Sequence, residues 1–446
     1  MALLATGKAT VAYAGDAPPV ETSPFRYDDD VAAYADREDI YGQLKYIRVG
    51  AGYVSFGADL RERAELSHNI GLGARGRTSD AYLLHRLLAF GDLHLNNVVR
   101  VFVQVGNHLE TGRRAAAAPT DIDRFDLTQG FVDLAHPLAG GQLTLRVGRA
   151  EMSFDDGILI GLRDGPNVRQ VWDGVRVSYA KPRLRLDAFA VRPVAVSPGA
   201  FDDGAATGAA LQGVHASLTF SKTTGADVFW YRSIKPSVAI LRTNGRARTN
   251  TLGVRLHRAS QTLDGTMTLI VQTGQVGSRP VRAFAGHIDV GGYLGHRTWM
   301  PHLGLRADVL SGGDPNGRTV NTFDALYPNV SYSTEAAIEA PANLIEVGLV
   351  GKVSPARTID VQYTFERLWR YSSRDAYYAA PLMPLVGPNA SGRRALGLLQ
   401  QLALTWRANP FVTVRAAAVR FDHGRWLSEQ GARNETFGTL IFSVRL

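Results

Sequence analysis

The side chains of this sequence best suited to chemistry are its arginines. Two of them, Arg163 and Arg169, close the stretch Arg163-Asp164-Gly165-Pro166-Asn167-Val168-Arg169. Gly165-Pro166-Asn167 is turn chemistry, because Gly and Asn tolerate positive φ and Pro fixes its own. Two guanidinium groups on one irregular loop are a candidate contact for an anion, since the planar fork matches a carboxylate. A solvated turn with surface charge is the competing reading of the same residues. The loop hangs between two segments that alternate. Leu143, Leu145 and Val147 interleave with Thr144, Arg146 and Gly148, and Val175, Val177 and Tyr179 interleave with Arg176 and Ser178. A period of two gives each segment one apolar and one polar face, which is the signature of a strand.

The same alternation along the chain gathers more charge on one face. If the apolar faces meet lipid, the polar faces line an interior. That interior set contains Arg61, Arg63, Arg86, Arg100, Arg146, Arg176, Arg185, Arg255 and Arg306, with Asp59, Asp92, Asp133, Asp187, Asp308, Asp360 and Glu366. Arginines on neighbouring strands would form a basic track that focuses field on anions, with forks suited to carboxylates. Mutual neutralisation in a polar interior is the alternative for any one of them. The loop 161–170 is expected to fold into a barrel mouth, with Arg163 and Arg169 on the solute path near Arg146 and Arg176.

The elements that must position these residues are all strands. Alternating segments run near 52–64, 80–94, 97–109, 126–136, 141–150, 171–180, 182–192, 210–221, 225–233, 248–258, 262–274, 281–294, 298–310, 343–353, 356–368, 395–407, 411–422 and 434–446. Every second connection is short, near 95–96, 137–140, 181, 221–225, 259–262, 296–297, 354–355 and 408–410. Those between are mostly long, at 65–79, 110–125, 151–170, 193–209, 311–343, 369–394 and 422–434. A soluble sandwich has no reason for this parity, whereas an outer-membrane barrel has tight periplasmic turns and long external loops. The pattern therefore predicts an all-β, closed antiparallel transmembrane barrel of about eighteen strands. Residues 51–446 make the barrel and 1–50 a lead-in. In the last segment Leu440, Phe442, Val444 and Leu446 oppose Thr439, Ser443 and Arg445. An apolar alternation running to the final residue resembles the signal read by barrel-assembly machinery.

Composition narrows the function classes. The 446 residues are 45% hydrophobic and 20% charged, which fits an ordered chain. No stretch reaches the ~18 uninterrupted apolar residues of a membrane helix. There is no Cys, so disulfides, thiolate metal sites and thiol catalysis are out. Forty-nine Lys and Arg against 41 Asp and Glu give a net +8, which favours anionic partners. Arginines spaced along strands do not make a nucleic-acid surface. The histidines show no zinc spacing, and no GxSxG, Walker or Rossmann pattern is present. A membrane hydrolase with a Ser–His pair need carry no such motif. Asp28-Asp29-Asp30 lacks the Gly and Glu of a calcium loop and reads as a solvated run or a partner for barrel arginines. Residues 1–14 carry one Lys and a weak apolar bias, and Ala12-Tyr13-Ala14 resembles a signal-peptidase site, so they read as a trimmed leader.

These residues together resemble the alginate export family of Gram-negative outer-membrane proteins. Phe25-Arg26-Tyr27-Asp28-Asp29-Asp30 with Leu44-Lys45-Tyr46-Ile47 is similar to that family's N-terminal motif. Tyr53-Val54-Ser55-Phe56-Gly57-Ala58-Asp59-Leu60-Arg61-Glu62-Arg63 is similar to its first strand. Leu145-Arg146-Val147-Gly148-Arg149, then 163–169 and Asp173-Gly174-Val175-Arg176 carry the most specific likeness. Ala150 stands where the family commonly has Gln, and Val171-Trp172-Asp173 where it has Ser-Phe-Asp. The resemblance implies an eighteen-stranded barrel whose arginine-rich pore, Asp133 and Asp187 included, passes an acidic polysaccharide. Its implied partners are that polymer or a small anionic solute, outer-membrane lipid and lipopolysaccharide, the assembly machinery and a periplasmic secretion partner. A monomer, no cofactor, no catalysis and no nucleic acid complete the expectation. A carboxylate-selective or general uptake porin is the alternative, and an outer-membrane hydrolase the third reading.

Overall fold

The computed structural model describes residues 23–29, 31–35, 40–73, 79–260, 262–295, 299–329, 333–379, 382–388 and 392–446. The leader at 1–14, Asp30 and the turn at 296–297 lie outside the described residues. Eighteen antiparallel strands close into one barrel. The first six are β1 (Gly52–His68), β2 (Ser79–His94), β3 (Val99–Thr111), β4 (Asp123–Leu138), β5 (Gly141–Glu151) and β6 (Val171–Lys181). Next come β7 (Leu184–Ala195), β8 (Ala210–Thr219), β9 (Thr224–Ile240), β10 (Thr243–Ala259), β11 (Asp264–Val276) and β12 (Arg279–Tyr293). The last are β13 (His302–Leu310), β14 (Leu344–Ala356), β15 (Ile359–Arg370), β16 (Ala395–Arg407), β17 (Val412–His423) and β18 (Glu435–Arg445). Each pairs with its sequence neighbour, and β18 closes on β1 from Asp59↔Arg445 to His68↔Thr436. Closure leaves no unpaired edge, the condition for strands to cross hydrocarbon.

The side-chain period sorts residues as the alternation requires. Along β10 and β11, Leu252, Val254, Leu256, Leu269 and Val271 are exposed on the outer face. Thr249, Thr251, Arg255, Thr268 and Gln272 are buried on the inner one. Both ends of the barrel chain, the start of β1 and the end of β18, lie on the short-turn rim. The opposite rim carries the long loops, with two exceptions. β9 and β10 run past the apolar band to a two-residue turn at Leu241-Arg242, closed by Ile240↔Thr243. β11 and β12 meet at Gly277-Ser278, where Gly277 takes φ 57. A positive φ at the first turn position matches the strand twist and suits Gly.

The lumen is filled, not empty. Loops 152–170 and 311–343 bring Leu159, Ile160, Phe323, Leu326 and Ile338 into one buried cluster with inward Phe189, Leu211, Tyr231 and Leu368. Each such burial is worth about 1.5–3 kcal/mol. The loops are zipped together by Gly161 N to Tyr327 O, Tyr327 N to Leu159 O and Asn329 N to Gly157 O, each 2.9 Å. Gly157, at φ 79, and Gly161 are required there, because a Cβ on either would strike Asn329 at 2.1 and 2.5 Å.

The lead-in also enters the barrel. Tyr27 packs among Phe90, Phe102 and Phe131 of β2, β3 and β4, and its hydroxyl donates to Glu151 O at 2.9 Å. Arg146 stacks over the ring at 4.1 Å, and Arg100 donates to Tyr27 O at 2.5 Å. Arg26 donates to Leu446 O at 2.6 Å and lies 3.4 Å from Asp59, tying the segment to both closing strands. Truncating a buried aromatic costs about 3–5 kcal/mol. Tyr27→Ala is therefore expected to release residues 23–29 while the barrel stays closed. Limited proteolysis should cut the variant early at this segment with normal heat-modifiable gel mobility, and wild-type protection in the variant would refute this seat.

Candidate functional site

The loop bearing Arg163 and Arg169 crosses the lumen. Asn167 is fully buried, and its Nδ2 lies 3.0–3.1 Å from the carbonyl oxygens of His85, Leu109 and Asp121. From the far wall Arg61 of β1 donates to Asp164 O and Pro166 O, and Arg63 to Gly165 O. Arg86 of β2 donates to Asn167 O at 2.9 Å, to Pro166 O at 3.0 Å and to the Asp164 carboxylate at 2.5 Å. Arg169 binds the same carboxylate at 2.7 Å and lies 3.4 Å from Glu151. The groups that grip the turn thus come from β1 and β2. Arg146 and Arg176, expected near Arg163 and Arg169, are engaged by Asp133 and Asp187 at 2.8 and 2.7 Å and, among the described residues, make no bond to the turn. The left-handed position is Arg163, φ 56, and not Gly165 or Asn167. Asn329 Oδ1 holds it by accepting from Arg163 N at 2.9 Å.

Asp164 is the hub. Its side chain is half exposed to the lumen yet enclosed by the wall. Burial opposes its charge, but Arg169, Arg86 and Arg61 outweigh burial and hold the carboxyl well below the usual range.

The strand arginines of the expected lumen set lie on the inner face, and carboxylates meet them. Arg63 pairs with Glu65 at 2.6 Å and Arg100 with Asp92 at 2.7 Å. Arg185 pairs with Asp187 at 2.8 Å, and Arg255 with Asp156 and Asp227 at 2.5 and 3.2 Å. Arg306 reaches Asp289 and Glu366 at 3.2 and 3.6 Å. Asp360 pairs with Arg407 at 2.7 Å and Asp308 with His287 at 2.5 Å. Arg163 differs: among the described residues its Nε is buried without a hydrogen-bond partner, and Nη1 reaches only Gln170, at 3.4 Å.

Sequence reasoning missed Asp164, Glu335, Lys352, Arg407 and Arg415 as lumen groups. Period two extended to the strand ends would have found the last three. Glu335, from loop 311–343, accepts from Arg415 at 2.9 Å and lies 3.7 Å from Arg63. Asp28 belongs to the acidic run read as solvated or as a partner for barrel arginines, and it lies near four of them. This carboxylate is raised by burial and pulled the other way by Arg146, Arg185, Arg176 and Arg100. Four arginines of β3, β5, β6 and β7 therefore share one electrostatic neighbourhood with a carboxylate supplied by the lead-in.

Among the described residues two groupings offer ligand atoms for a cation, Asp155 with His215 and Asp227, and Asp123 with Asp126 and Asp203. Arg255 beside Asp227 and Arg149 at 3.9 Å from Asp126 supply positive charge already. His68 Nδ1 lies 2.8 Å from Ser79 Oγ, an exposed Ser–His contact. Among the described residues no carboxylate is bonded to the ring's other nitrogen, the partner that would orient a base.

Two outcomes follow from these loops. Removing one partner of a buried ion pair costs about 3–5 kcal/mol, and screening at half-exposed Asp164 reduces this to about 1–2 kcal/mol. Asp164→Asn should loosen the loop and raise single-channel conductance; unchanged conductance would exclude the loop as a constriction. Since the Asp164 carboxyl is depressed, its contribution is fully present above the ordinary carboxylate range and is lost progressively as pH falls below that range toward the depressed value. Glu339 behaves oppositely. Burial and the facing Glu346 push it up to about 8, with Glu435 adding to the push. Its part in seating loop 311–343 is fully present below the free glutamate value and is lost as pH rises through about 8. Open-channel noise should grow over that window in wild type and not in Glu339→Gln, and identical profiles would sink the assignment.

The chain matches the family model for alginate export over residues 52–439. No curated protein matches it. Among solved structures it is similar to Pseudomonas aeruginosa OccK11 (OpdR), with a TM-score of 0.57 at 11% identity, covering 90% of this chain and 99% of that one. Acinetobacter baumannii OccAB1 gives a TM-score of 0.60 at 8% identity over 88% of this chain and 96% of that one. Pseudomonas aeruginosa OccK2 (OpdF) in complex with glucuronate gives 0.56 at 11% identity over 88% and 98%. At these identities the likeness speaks for the fold. The family match and the closed barrel carry the rest: the chain belongs to the alginate export family and is an outer-membrane channel of a Gram-negative bacterium.

Proposed function

We propose that this channel passes acidic solutes passively, with uronate-type carboxylates handed along the lumen arginines. The observation that carries the reading is Asp28, a carboxylate already held in the field of Arg146, Arg185, Arg176 and Arg100. A solute carboxylate presents the same charge and the same acceptor geometry to those forks. Arg185 is 42% exposed, the most open of the four toward water. The glucuronate bound to OccK2 (OpdF) supports a uronate as the solute class. An alginate-like polyuronate is the family reading. Small carboxylates are the second, favoured by the two loops that meet across the lumen. The proposed channel works as a monomer without catalysis or cofactor. It is inserted through its C-terminal strand and served by a periplasmic partner if the solute is a polymer.

Planar-bilayer recording tests the reading. Wild type should prefer anions and be blocked by uronate oligomers. Arg176→Gln with Arg185→Gln should lose much of that preference, since each removes one charge from the solute path. Unchanged selectivity and block in a correctly closed barrel would overturn it. Turnover of phospholipid lost in Ser79→Ala would instead establish the hydrolase reading.

A further inference from the structure

The outer wall carries a second set of arginines with the opposite character. Arg232 of β9, Arg246 and Arg248 of β10 and Arg282 of β12 point outward and are exposed. They lie toward the long-loop rim. One register row runs Arg232↔Asn250↔Thr273↔Arg282 across β9 to β12, and the next outward runs Ile234↔Arg248↔Gln275. The row just inside is Trp230↔Leu252↔Val271↔Phe284, exposed by 36, 51, 52 and 41%. Further in, Val228, Val254 and Leu269 continue the apolar band. The arginines therefore stand where the lipid-facing surface ends, with an aromatic row at the boundary.

Among the described residues no acid shares this face. The outward positions beside these arginines on β9 to β12 are Asn, Thr, Gln, Pro and Ile. Asp314, on the loop packed over Arg242 and Arg279, is already bonded to Arg374 at 2.8 Å. Some outward charges elsewhere are matched: Arg149 with Asp173 at 2.8 Å, Arg420 with Asp422 at 2.8 Å and Glu62 with His85 at 2.5 Å. The patch therefore gathers four exposed arginines on neighbouring strands with no carboxylate among them, and offers them to an external anion.

We propose that this patch binds the phosphorylated saccharide headgroup of the outer-leaflet glycolipid, the lipid A part of lipopolysaccharide. Acyl chains would lie on the Trp230–Phe284 row while the phosphates meet the arginines above it. Arg232 and Arg282 are three strand spacings apart, about 14 Å, with Arg248 between them, so the patch can hold more than one phosphate. A lone phosphodiester headgroup would fill only part of it. The inference is independent of which solute the lumen passes.

The full chain in detergent micelles, titrated with fluorescent bisphosphorylated lipid A, tests the site. Wild type should bind it at least about tenfold tighter than the same lipid stripped of phosphate, with affinity falling as salt rises. The variant Arg232→Gln, Arg246→Gln, Arg248→Gln, Arg282→Gln should lose that difference, and Arg420→Gln, which breaks a matched outward pair, should keep it. Equal wild-type affinity for phosphorylated and stripped lipid would overturn the proposal without any variant. Equal affinity for phosphatidylglycerol would overturn the choice of headgroup. Full binding by the fourfold variant, with heat-modifiable mobility showing a closed barrel, would overturn the residues.

Discussion

A strand that faces hydrocarbon must have every backbone N–H and C=O paired, and in this chain that is met only when β18 finds β1. Closure fixes everything else in order. It makes each strand show one face to lipid and the other to a confined interior, so the period of two becomes a division between membrane and lumen. It places both strand ends that carry the seam on the short-turn rim, next to the lead-in. Arg26 uses that position, bonding the last carbonyl of the chain and lying beside Asp59 of the first strand. The lead-in thus reports on closure, because its anchor exists only when both edges are in place.

Confinement then decides what inward charges can do. A guanidinium in a lumen narrowed by loops has lost part of its water, and an unmatched one would be costly. The wall answers with carboxylates at neighbouring inward positions, such as Asp133 beside Arg146 and Asp187 between Arg176 and Arg185. Outside the barrel the constraint is absent. Arg232, Arg246, Arg248 and Arg282 sit in water at the rim and need no internal partner. One residue type therefore has two regimes, set by enclosure and not by sequence neighbourhood.

That difference explains what could be read from the sequence. The strands were legible wherever one face is apolar: β1 to β8 and β13 to β18 follow the alternation closely. The outer ends of β9 and β10, at 234–240 and 243–247, were not, because Pro236 and Ser237 interrupt the first run at a register shift and Thr243, Asn244, Gly245 and Arg246 give the second no apolar face. Inward orientation of the strand arginines was legible for the same reason. Their partners across the lumen were not. Arg61 meets Asp164 across 103 positions, and Tyr27 meets Glu151 across 124. No local pattern encodes such a contact; it follows from a loop and a lead-in folding into a space that exists only after closure. The turn 165–167 was legible as a turn, but its direction was set by Asn167 reaching β2 and β3.

The paired lumen bears on how an acidic solute could cross it. A track of bare arginines would bind an anion tightly and release it slowly, which opposes conduction. Here most of the wall guanidiniums already hold a carboxylate, so on the proposed reading a solute exchanges one carboxylate for another, and the change in free energy at each step is small. Exchange is easiest where the resident carboxylate can leave. Asp133 and Asp187 are fixed in strands, but Asp28 sits on a lead-in held by an aromatic ring and a few side-chain hydrogen bonds, without a strand ladder of its own. The arginines around Asp28 are the place in the lumen where the resident acid is least constrained by the fold. Selectivity for carboxylates would then come from competition with a built-in one: a solute passes if it satisfies Arg100, Arg146, Arg176 and Arg185 about as well as Asp28 does, and a neutral solute of the same size gains nothing there.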